Sequence, residues 1–297
     1  MTFNRAAFYA AARTAPFGGR LTQQNVDGCN AILDEWDANW AVRQPVAALA
    51  YVLATVFHET AGTMRWDIEE IGKGRGRPYG KPAGPFGQIY YGRGPVQLTW
   101  LANYERMQAL VVAKRFPGKD IVRRPAQALE KDIAIAILFE GSFAGVSGRG
   151  DFTGKSLDQF FPAGSDDLPA AELRQRAVKA RGVINGSDKA VQIATVFESF
   201  LVALREAMTI VPVAQERGDL TTAAAMPVVD TGSPTLAGSK VVQGGALATV
   251  GGLAAALAPL TGAIQSPWAF GTIALVIVLG FVWLMWGRRR IAYQAGV

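Results

Sequence analysis

The segment FHETAGTMRWDIEE, residues 57–70, brings the chain's only histidine, His58, together with Glu59, Glu69 and Glu70. Glu59 ends an apolar run, so it should lie beside the negative end of a helix dipole and near apolar walls, and both disfavour an ionised carboxylate. Glu69 and Glu70 stand at the mouth of a glycine-rich loop, which is a more polar setting. Two carboxylates in different environments can divide the work of glycoside hydrolysis, one as proton donor and one as base or nucleophile.

A second segment, YYGRGPVQLTWLANYERM, carries residue types that suit a sugar-binding cleft. It combines paired tyrosines, a Gly-Arg-Gly-Pro turn where the backbone can approach a ligand, and the polar residues Gln97, Thr99 and Asn103 leading into a helix. Residues 90–107 are therefore expected to contribute to the same site as the glutamates.

Three stretches together resemble glycoside hydrolase family 19, the chitinases and related phage or bacterial endolysins. Residues 90–107 resemble that family's YYGRGPIQLT/S…NY signature, and FHETAG resembles the segment that carries its general acid. A third stretch, RGVINGSDKA at residues 181–190, resembles the family's late Ile-Asn-Gly element. The resemblance covers about residues 45–205 and implies a lysozyme-like fold.

This resemblance implies a role for each matching residue. Glu59 would be the general acid and Glu70 the general base that activates water in an inverting, single displacement, with Thr99 holding the water. Four residues would fall on sugar-binding positions: Tyr90, Gln97, Asn103 and Asn185. Glu70 is preferred because EIG resembles the family's Glu-x-Gly, and Glu69 is the alternative base. Plant members have a longer, cysteine-containing insertion between the two glutamates, so this chain resembles the compact bacterial and phage type, which weakens the case for chitin.

Two residues beside the glutamates have structural as well as functional interpretations. His58 is interpreted as a buried histidine that positions Glu59 by hydrogen bonding, with proton transfer as the alternative, because a neutral imidazole can donate and accept at once. Arg93 lies between two glycines and is expected to hold the loop or to tune a carboxylate. The basic run GKGRGRPYGK, residues 72–81, is either a solvated loop or a surface that attracts an anionic polymer.

The spacing of apolar residues predicts an all-α domain over residues 1–210. Thr22 is expected to cap one helix, and Pro45 to occupy the first turn of a buried, central one. The glycine- and proline-rich residues 72–95 are expected to form a long loop. Further helices are predicted at residues 103–115, 126–143 and 168–180, followed by a last one that Ser187 caps.

Charge and cysteine content narrow the classes of partner and cofactor. The formal charge of +6 and the isoelectric point near 9.5 fit an anionic partner, which we expect to be a cell-wall polymer and not a nucleic acid. The chain has one cysteine, Cys29, and one histidine, so it can build neither an internal disulfide nor a zinc site of cysteines and histidines. We predict no structural metal and no cofactor.

The C-terminal part of the sequence predicts a membrane anchor. Residues 268–286, WAFGTIALVIVLGFVWLMW, carry no charge and would span about 28 Å as a helix, close to the hydrocarbon thickness of a bilayer. Terminal tryptophans and three following arginines predict a transmembrane helix with a cytoplasmic tail, residues 287–297. The Ala- and Gly-rich residues 241–264 are either a second span or a flexible segment, and residues 211–240 read as a linker.

These observations lead to one main hypothesis and two alternatives. The main hypothesis is a membrane-associated hydrolase that cleaves β-1,4 bonds between amino sugars of peptidoglycan, in phage lysis. One alternative is a membrane-tethered chitinase, and the other is a degenerate glycan-binding or holin-like module without catalysis. A single membrane span would place the N-terminal domain outside the inner membrane, whereas a hairpin of two spans would leave it in the cytoplasm.

Overall fold

Helices dominate the part of the chain that the computed structural model describes, residues 3–143 and 152–209. The α-helices are α1 (Arg5–Thr14), α2 (Gln23–Asn39), α3 (Val46–Glu59), α4 (Leu101–Met107), α5 (Ala113–Arg115), α6 (Lys131–Ser142), α7 (Ala170–Ala180) and α8 (Ala190–Thr209). Within these residues, β-structure is limited to isolated bridges. The prediction of a mostly helical domain is therefore confirmed.

Helix α3 forms the centre of the domain and leads directly to the site. Every residue from Val46 to Val56 is buried, as its nearly all-apolar sequence requires, and α3 packs against α8, which also contacts α1 and α7. Pro45 precedes the helix with φ of −73°, a value already suited to helical backbone. The first backbone N–H groups of α3 are capped by a residue that is remote in the sequence. Val46 and Ala47 each donate to the Asp166 carboxylate at 2.8 Å.

Helix α2 supports the segment that follows α3. Thr22 caps α2 through a reciprocal pair of hydrogen bonds with Asn25, which confirms the predicted cap. Asn25 also donates through Nδ2 to the Gly62 carbonyl at 2.7 Å. Gly28 lies so close to the next loop that a Cβ atom there would be 2.0 Å from the Met64 carbonyl oxygen. The turn after Glu59 is thus fixed against α2.

The observed helices differ from the predicted ones in two places. Helix α8 begins at Ala190, so the expected cap at Ser187 is wrong; Lys189 has φ of +59°, and this left-handed residue interrupts any helix begun earlier. Helix α1 is not among the predicted helices. Its start is nevertheless marked by Asn4, whose side chain accepts from the Ala7 amide at 3.1 Å.

Residues 60–100 contain no regular α-helix or strand, which confirms the long loop predicted at residues 72–95. A short 3₁₀ turn, Pro78–Gly80, lies within it. The base of the loop is closed by backbone hydrogen bonds, from Glu70 to the Gly92 carbonyl and from Gly94 to the Ile68 carbonyl, each at 2.8 Å. The loop therefore leaves and rejoins the domain at one place.

The predicted membrane segments cannot be compared with the fold. Among the helices at residues 3–143 and 152–209, none is long and apolar enough to cross a bilayer. The linker, the two candidate spans and the tail, at residues 211–240, 241–264, 268–286 and 287–297, lie outside the described residues. They stay predictions.

Candidate active site

A cleft of about 470 Å³ lies where the end of α3 meets the start of α4 and the 60–100 loop. Its walls combine one carboxylate with aromatic, amide and hydroxyl side chains. The lining residues are Glu59, Tyr79, Val96, Gln97, Leu98, Thr99, Trp100, Asn103, Phe152, Thr153, Ile184 and Asn185. This mixture of apolar surface and convergent polar groups suits a ligand rich in hydroxyl groups.

Glu59 lines the cleft from the last residue of α3 and is held by Arg181. The Arg181 guanidinium donates to Glu59 Oε1 at 2.7 Å, and the two side chains are only 3% and 17% exposed, respectively. Arg181 also donates through Nε to the Asp188 carbonyl at 3.0 Å, which fixes its direction. Glu59 therefore faces the cleft with one oxygen fixed by a buried positive charge.

Sequence reasoning did not identify Arg181 as a site residue. It lies at the start of the 3₁₀ turn Arg181–Val183 after α7, within the stretch that resembles the family's Ile-Asn-Gly element. Only Asn185 had been taken from that stretch. The missing information was spatial, because Arg181 and Glu59 are 122 positions apart in the chain.

Glu70 is held by two donors from opposite sides of the loop. The Tyr79 hydroxyl donates to Oε1 at 2.8 Å, and the Gly92 amide donates to Oε2 at 3.0 Å. The two bonds orient the carboxylate, because each of its oxygens accepts one of them. Tyr79 itself lines the cleft, so Glu70 is joined to the cleft wall through a single side chain.

Glu69, the alternative base, has a different set of partners. It accepts a very short hydrogen bond from the Tyr91 hydroxyl and pairs with Lys73 at 2.9 Å. Those contacts, first the Tyr91 hydroxyl and then the Lys73 ammonium, hold the pKa of Glu69 below its usual range. Neither partner lines the cleft, so the structure links Glu70, and not Glu69, to the cleft wall.

Four of the five polar residues predicted from the motifs lie together in the cleft. These are Gln97, Thr99, Asn103 and Asn185. Gln97 donates to the Gly94 carbonyl at 3.1 Å and Asn103 donates to the Thr99 carbonyl at 3.0 Å. A side-chain amide has several hydrogen-bonding positions, so each keeps capacity for a ligand after it has been oriented in this way.

Tyr90, the fifth, does not line the cleft. It is 1% exposed, its hydroxyl donates to the Val122 carbonyl at 2.8 Å, and its ring packs edge-on against Tyr104 at 5.1 Å. The hydroxyl is already satisfied inside the core. The expected contact between Tyr90 and a sugar therefore needs correction, since this side chain belongs to the core beneath the loop.

The cleft also contains an exposed aromatic residue that sequence reasoning missed. Trp100 is 48% exposed and lies 5.3 Å from the Tyr79 ring in an edge-on arrangement. Its φ of +71° is unusual for a bulky residue and turns the chain just before α4. An exposed tryptophan face in a polar cleft offers the apolar surface on which a sugar ring can lie.

His58 and Arg93 differ from one another in how they are fixed. His58 is half-buried, and within the described residues its side chain makes no hydrogen bond, so the expected bond to Glu59 is not seen. Burial lowers the pKa of His58, with a smaller opposing effect of the Glu59 charge. Arg93 is buried, donates to the Ile89 carbonyl and the Tyr104 hydroxyl, and stacks 3.6 Å from the Tyr91 ring centre. It therefore holds the loop together.

A metal centre has no support in the part of the chain described. No group of three or more His, Cys, Asp or Glu side chains within residues 3–143 and 152–209 is arranged to bind an ion. The chemistry available at this cleft is that of carboxylates, amides, hydroxyls and aromatic rings.

Comparison with known proteins gives distant structural similarities. No protein-family model matches the chain, and no curated protein matches it significantly. Chitinase C from Streptomyces griseus HUT6037 is 20% identical with a TM-score of 0.41, covering 68% of this chain and 76% of that one. A bacterial family 19 chitinase is 21% identical with a TM-score of 0.37, and the match covers 69% of this chain and 95% of that one. A chitinase C mutant is 22% identical with a TM-score of 0.37, and the match covers 68% of this chain and 76% of that one. Similarity at this level does not transfer an activity, so function has to be argued from the cleft.

Proposed function

We propose that this protein is a glycoside hydrolase that cleaves β-1,4 bonds between amino sugars of peptidoglycan by an inverting mechanism. The observation that carries the proposal is the pair of carboxylates in two environments. Glu59 faces the cleft beside one buried cation. Glu70 is not a lining residue and is held behind the cleft wall by the lining residue Tyr79 and by the Gly92 amide. Such a division between two carboxyl groups is what glycoside hydrolysis requires.

In this proposal, Glu59 donates a proton to the oxygen of the leaving sugar. The carboxylate that remains is stabilised by the Arg181 guanidinium, which already lies 2.7 Å from Oε1. Because Arg181 is fixed by the Asp188 carbonyl, this stabilisation needs no movement during the reaction. Arg181 thereby serves the acid as a positioning residue.

Glu70 acts as the base on the other side of the bond. It takes a proton from a water molecule that attacks the sugar, and the Tyr79 and Gly92 donors hold its two oxygens in position. Thr99 lines the same cleft and is the residue proposed to hold the water. Gln97, Asn103 and Asn185 would bind the sugar hydroxyl and acetamido groups, with Trp100 beneath a sugar ring.

Peptidoglycan is preferred to chitin because of charge and context. The chain is basic, whereas chitin carries no acidic groups and peptidoglycan carries peptide carboxylates. The predicted anchor at residues 268–286 would keep the enzyme at the membrane that underlies a cell wall. We place this activity in phage lysis, with a membrane-tethered chitinase as the second candidate.

The test is digestion of purified peptidoglycan and of chitin oligomers by the full chain in mild detergent, with mass analysis of the released sugars. We expect new reducing ends from peptidoglycan and a loss of at least about 100-fold in Glu59→Gln and in Glu70→Gln, as for removal of a general acid or base. Glu69→Gln is the matched control and should retain most activity.

Three outcomes would point elsewhere. Cleavage of chitin alone would identify a chitinase. A larger loss in Glu69→Gln than in Glu70→Gln would exchange the two as base. Absence of cleavage by a folded chain, or bacterial lysis that persists in Glu59→Gln, would support the glycan-binding or holin-like alternative.

A further inference from the structure

The 72–81 loop presents three cations that have no counter-ion. Arg75, Arg77 and Lys81 are exposed, and none forms an ion pair within the described residues. Lys73, at the start of the same loop, is different because it pairs with Glu69 at 2.9 Å. The loop therefore carries three charges that are available to a ligand.

This loop is a built structure and not an open tail. Three successive turns close it: Arg75 N–H donates to Gly72 at 2.9 Å, Arg77 N–H to Gly74 at 2.9 Å, and Gly80 N–H to Arg77 at 3.0 Å. Gly74 and Gly80 meet so closely that a Cβ atom on Gly80 would be 1.7 Å from the Gly74 carbonyl oxygen. The loop is thus a closed ring that fixes where its cations stand.

The ring adjoins the cleft through Tyr79. This residue belongs to the ring, lines the cleft, and donates to Glu70 at 2.8 Å. The charge of Arg77 is near enough to oppose part of the rise in the pKa of Tyr79, which comes first from burial and then from its bond to Glu70. The unpaired cations consequently lie beside the end of the cleft where the base acts.

We infer that this cationic ring binds carboxylates of the peptides attached to the glycan, and so selects peptide-bearing strands over bare ones. The inference rests on the proposed function and specifies its substrate class. In a peptide-bearing strand the sugar backbone supplies no charge for three unpaired cations, because its lactyl carboxyl groups are bound in amides to the peptides, whereas the acidic peptides supply several charges. Exposed cations attract such groups over distances near the Debye length, about 8–10 Å at ordinary salt.

The experiment measures binding, so it does not depend on catalysis. The full-length Glu59→Gln chain is compared with the same chain carrying Arg75→Gln, Arg77→Gln and Lys81→Gln. The ligands are soluble peptidoglycan fragments, freed of phosphate-bearing polymers, with their peptides intact, and uncharged chitin oligomers as the bare glycan fragments. We expect the triple change to weaken binding to peptide-bearing fragments about tenfold, as for loss of several exposed charge pairs, and to leave bare fragments unaffected.

A matched control removes the same number of charges elsewhere. Lys114, Lys131 and Lys179 are exposed and do not line the cleft, so their replacement by glutamine should leave the preference for peptide-bearing fragments unchanged. An equal loss in this control would show a general charge effect and overturn the inference. Equal weakening of binding to both ligands would also overturn the inference. So would a preference for peptide-bearing fragments that appears only when the phosphate-bearing polymer is present.

Failure of the proposed function gives a separate result. If the parent chain cuts neither polymer yet prefers peptide-bearing fragments through the ring, catalysis is refuted and the ring site stands. If it cuts peptidoglycan with no dependence on the ring, hydrolysis stands and the ring site is refuted.

Discussion

The helical framework and the 60–100 segment fix their side chains in different ways. In α3, burial on all sides holds an unbroken run from Val46 to Val56 in regular helix. In the 60–100 segment, five non-glycine residues have positive φ, each at a cost of about 1–3 kcal/mol. They are Ala61, Met64, Lys73, Gln97 and Trp100, and only Lys189 shares this feature elsewhere in the described chain. Regular packing supplies stability here, whereas strained turns held by individual hydrogen bonds aim the cleft residues.

The two regions are joined at a few points. Asn25 holds the Gly62 carbonyl, and Gly28 allows the Met64 backbone to approach α2. Arg181 fixes Glu59, the last residue of α3 before the segment begins. Changes at these points of contact should therefore affect both stability and activity. Changes inside the loop should affect activity alone.

The largest effect is expected from Arg181→Ala, which leaves Glu59 without its cation. Removal of one partner of a buried ion pair costs about 3–5 kcal/mol, which urea unfolding of the full chain would measure. We also expect activity to fall by about 100-fold, because the acid loses its position.

Arg181→Lys tests whether charge or shape matters at this point. A lysine keeps the charge but cannot hold both the Glu59 carboxylate and the Asp188 carbonyl in the fixed geometry of a guanidinium. We expect a smaller loss of stability than in Arg181→Ala, with reduced activity. Equal losses of stability in the two variants would contradict an electrostatic role for this residue.

The next largest effect is expected from Gly28→Ala. The added methyl group would meet the Met64 carbonyl at 2.0 Å, so α2 and the loop must separate, at a cost of about 1–3 kcal/mol. Thermal unfolding would measure this loss, and activity should fall with it because the turn after Glu59 shifts. Gly18→Ala is a suitable comparison, since a Cβ atom there meets nothing within 4 Å, although its φ of +64° carries a strain of its own. Full activity in Gly28→Ala would show that α2 does not position the loop.

A smaller and more selective effect is expected from Tyr79→Phe. The ring against Trp100 is kept and only the hydrogen bond to Glu70 is lost, so we expect about a tenfold fall in kcat with little change in stability.

Tyr90→Phe is the matched control for Tyr79→Phe. It removes a buried hydroxyl that donates to the Val122 carbonyl, so it should cost about 1 kcal/mol of stability and leave kcat unchanged. A fall in kcat in Tyr90→Phe, together with a loss of stability in Tyr79→Phe, would reverse the roles assigned to the two tyrosines.

The smallest effect concerns His58, whose pKa is lowered chiefly by burial. As the pH falls below about 6.5, the unfolded chain takes up a proton before the folded one does, so the free energy of unfolding should decrease. His58 is the only histidine, so His58→Gln should flatten this part of the stability curve. An unchanged slope in the variant would assign the effect to another group.

Sequence reasoning succeeded where local chemistry decides the structure. Thr22 as a cap and the uniformly apolar α3 were predictable, because each depends on residues within one or two helical turns. The start of α8 was not, because the left-handed turn at Lys189 gives no sign in its residue types. The cap of α3 by Asp166 was equally hidden, since that contact spans more than a hundred residues.

The same distinction between local and long-range features applies to the candidate site. The motifs identified Glu59, Thr99 and Asn103, all of which line the cleft. Tyr90 was misjudged because a tyrosine can pack in a core as well as line a cleft; both Tyr90 and Tyr91 are buried, and neither lines the cleft. Arg181 was overlooked because its importance depends on a distant partner, which neither composition nor periodicity can supply.

The closed base of the 60–100 loop has a consequence for how such a protein can evolve. The backbone bonds of Glu70 to Gly92 and of Gly94 to Ile68 require no particular side chain, so they survive sequence change. An insertion or deletion between them adds little entropic cost, about 0.6 kcal/mol for each doubling of loop length. The stretch between residues 81 and 88, which lies beyond Tyr79, can therefore change in length while Glu70 keeps both of its hydrogen-bond donors.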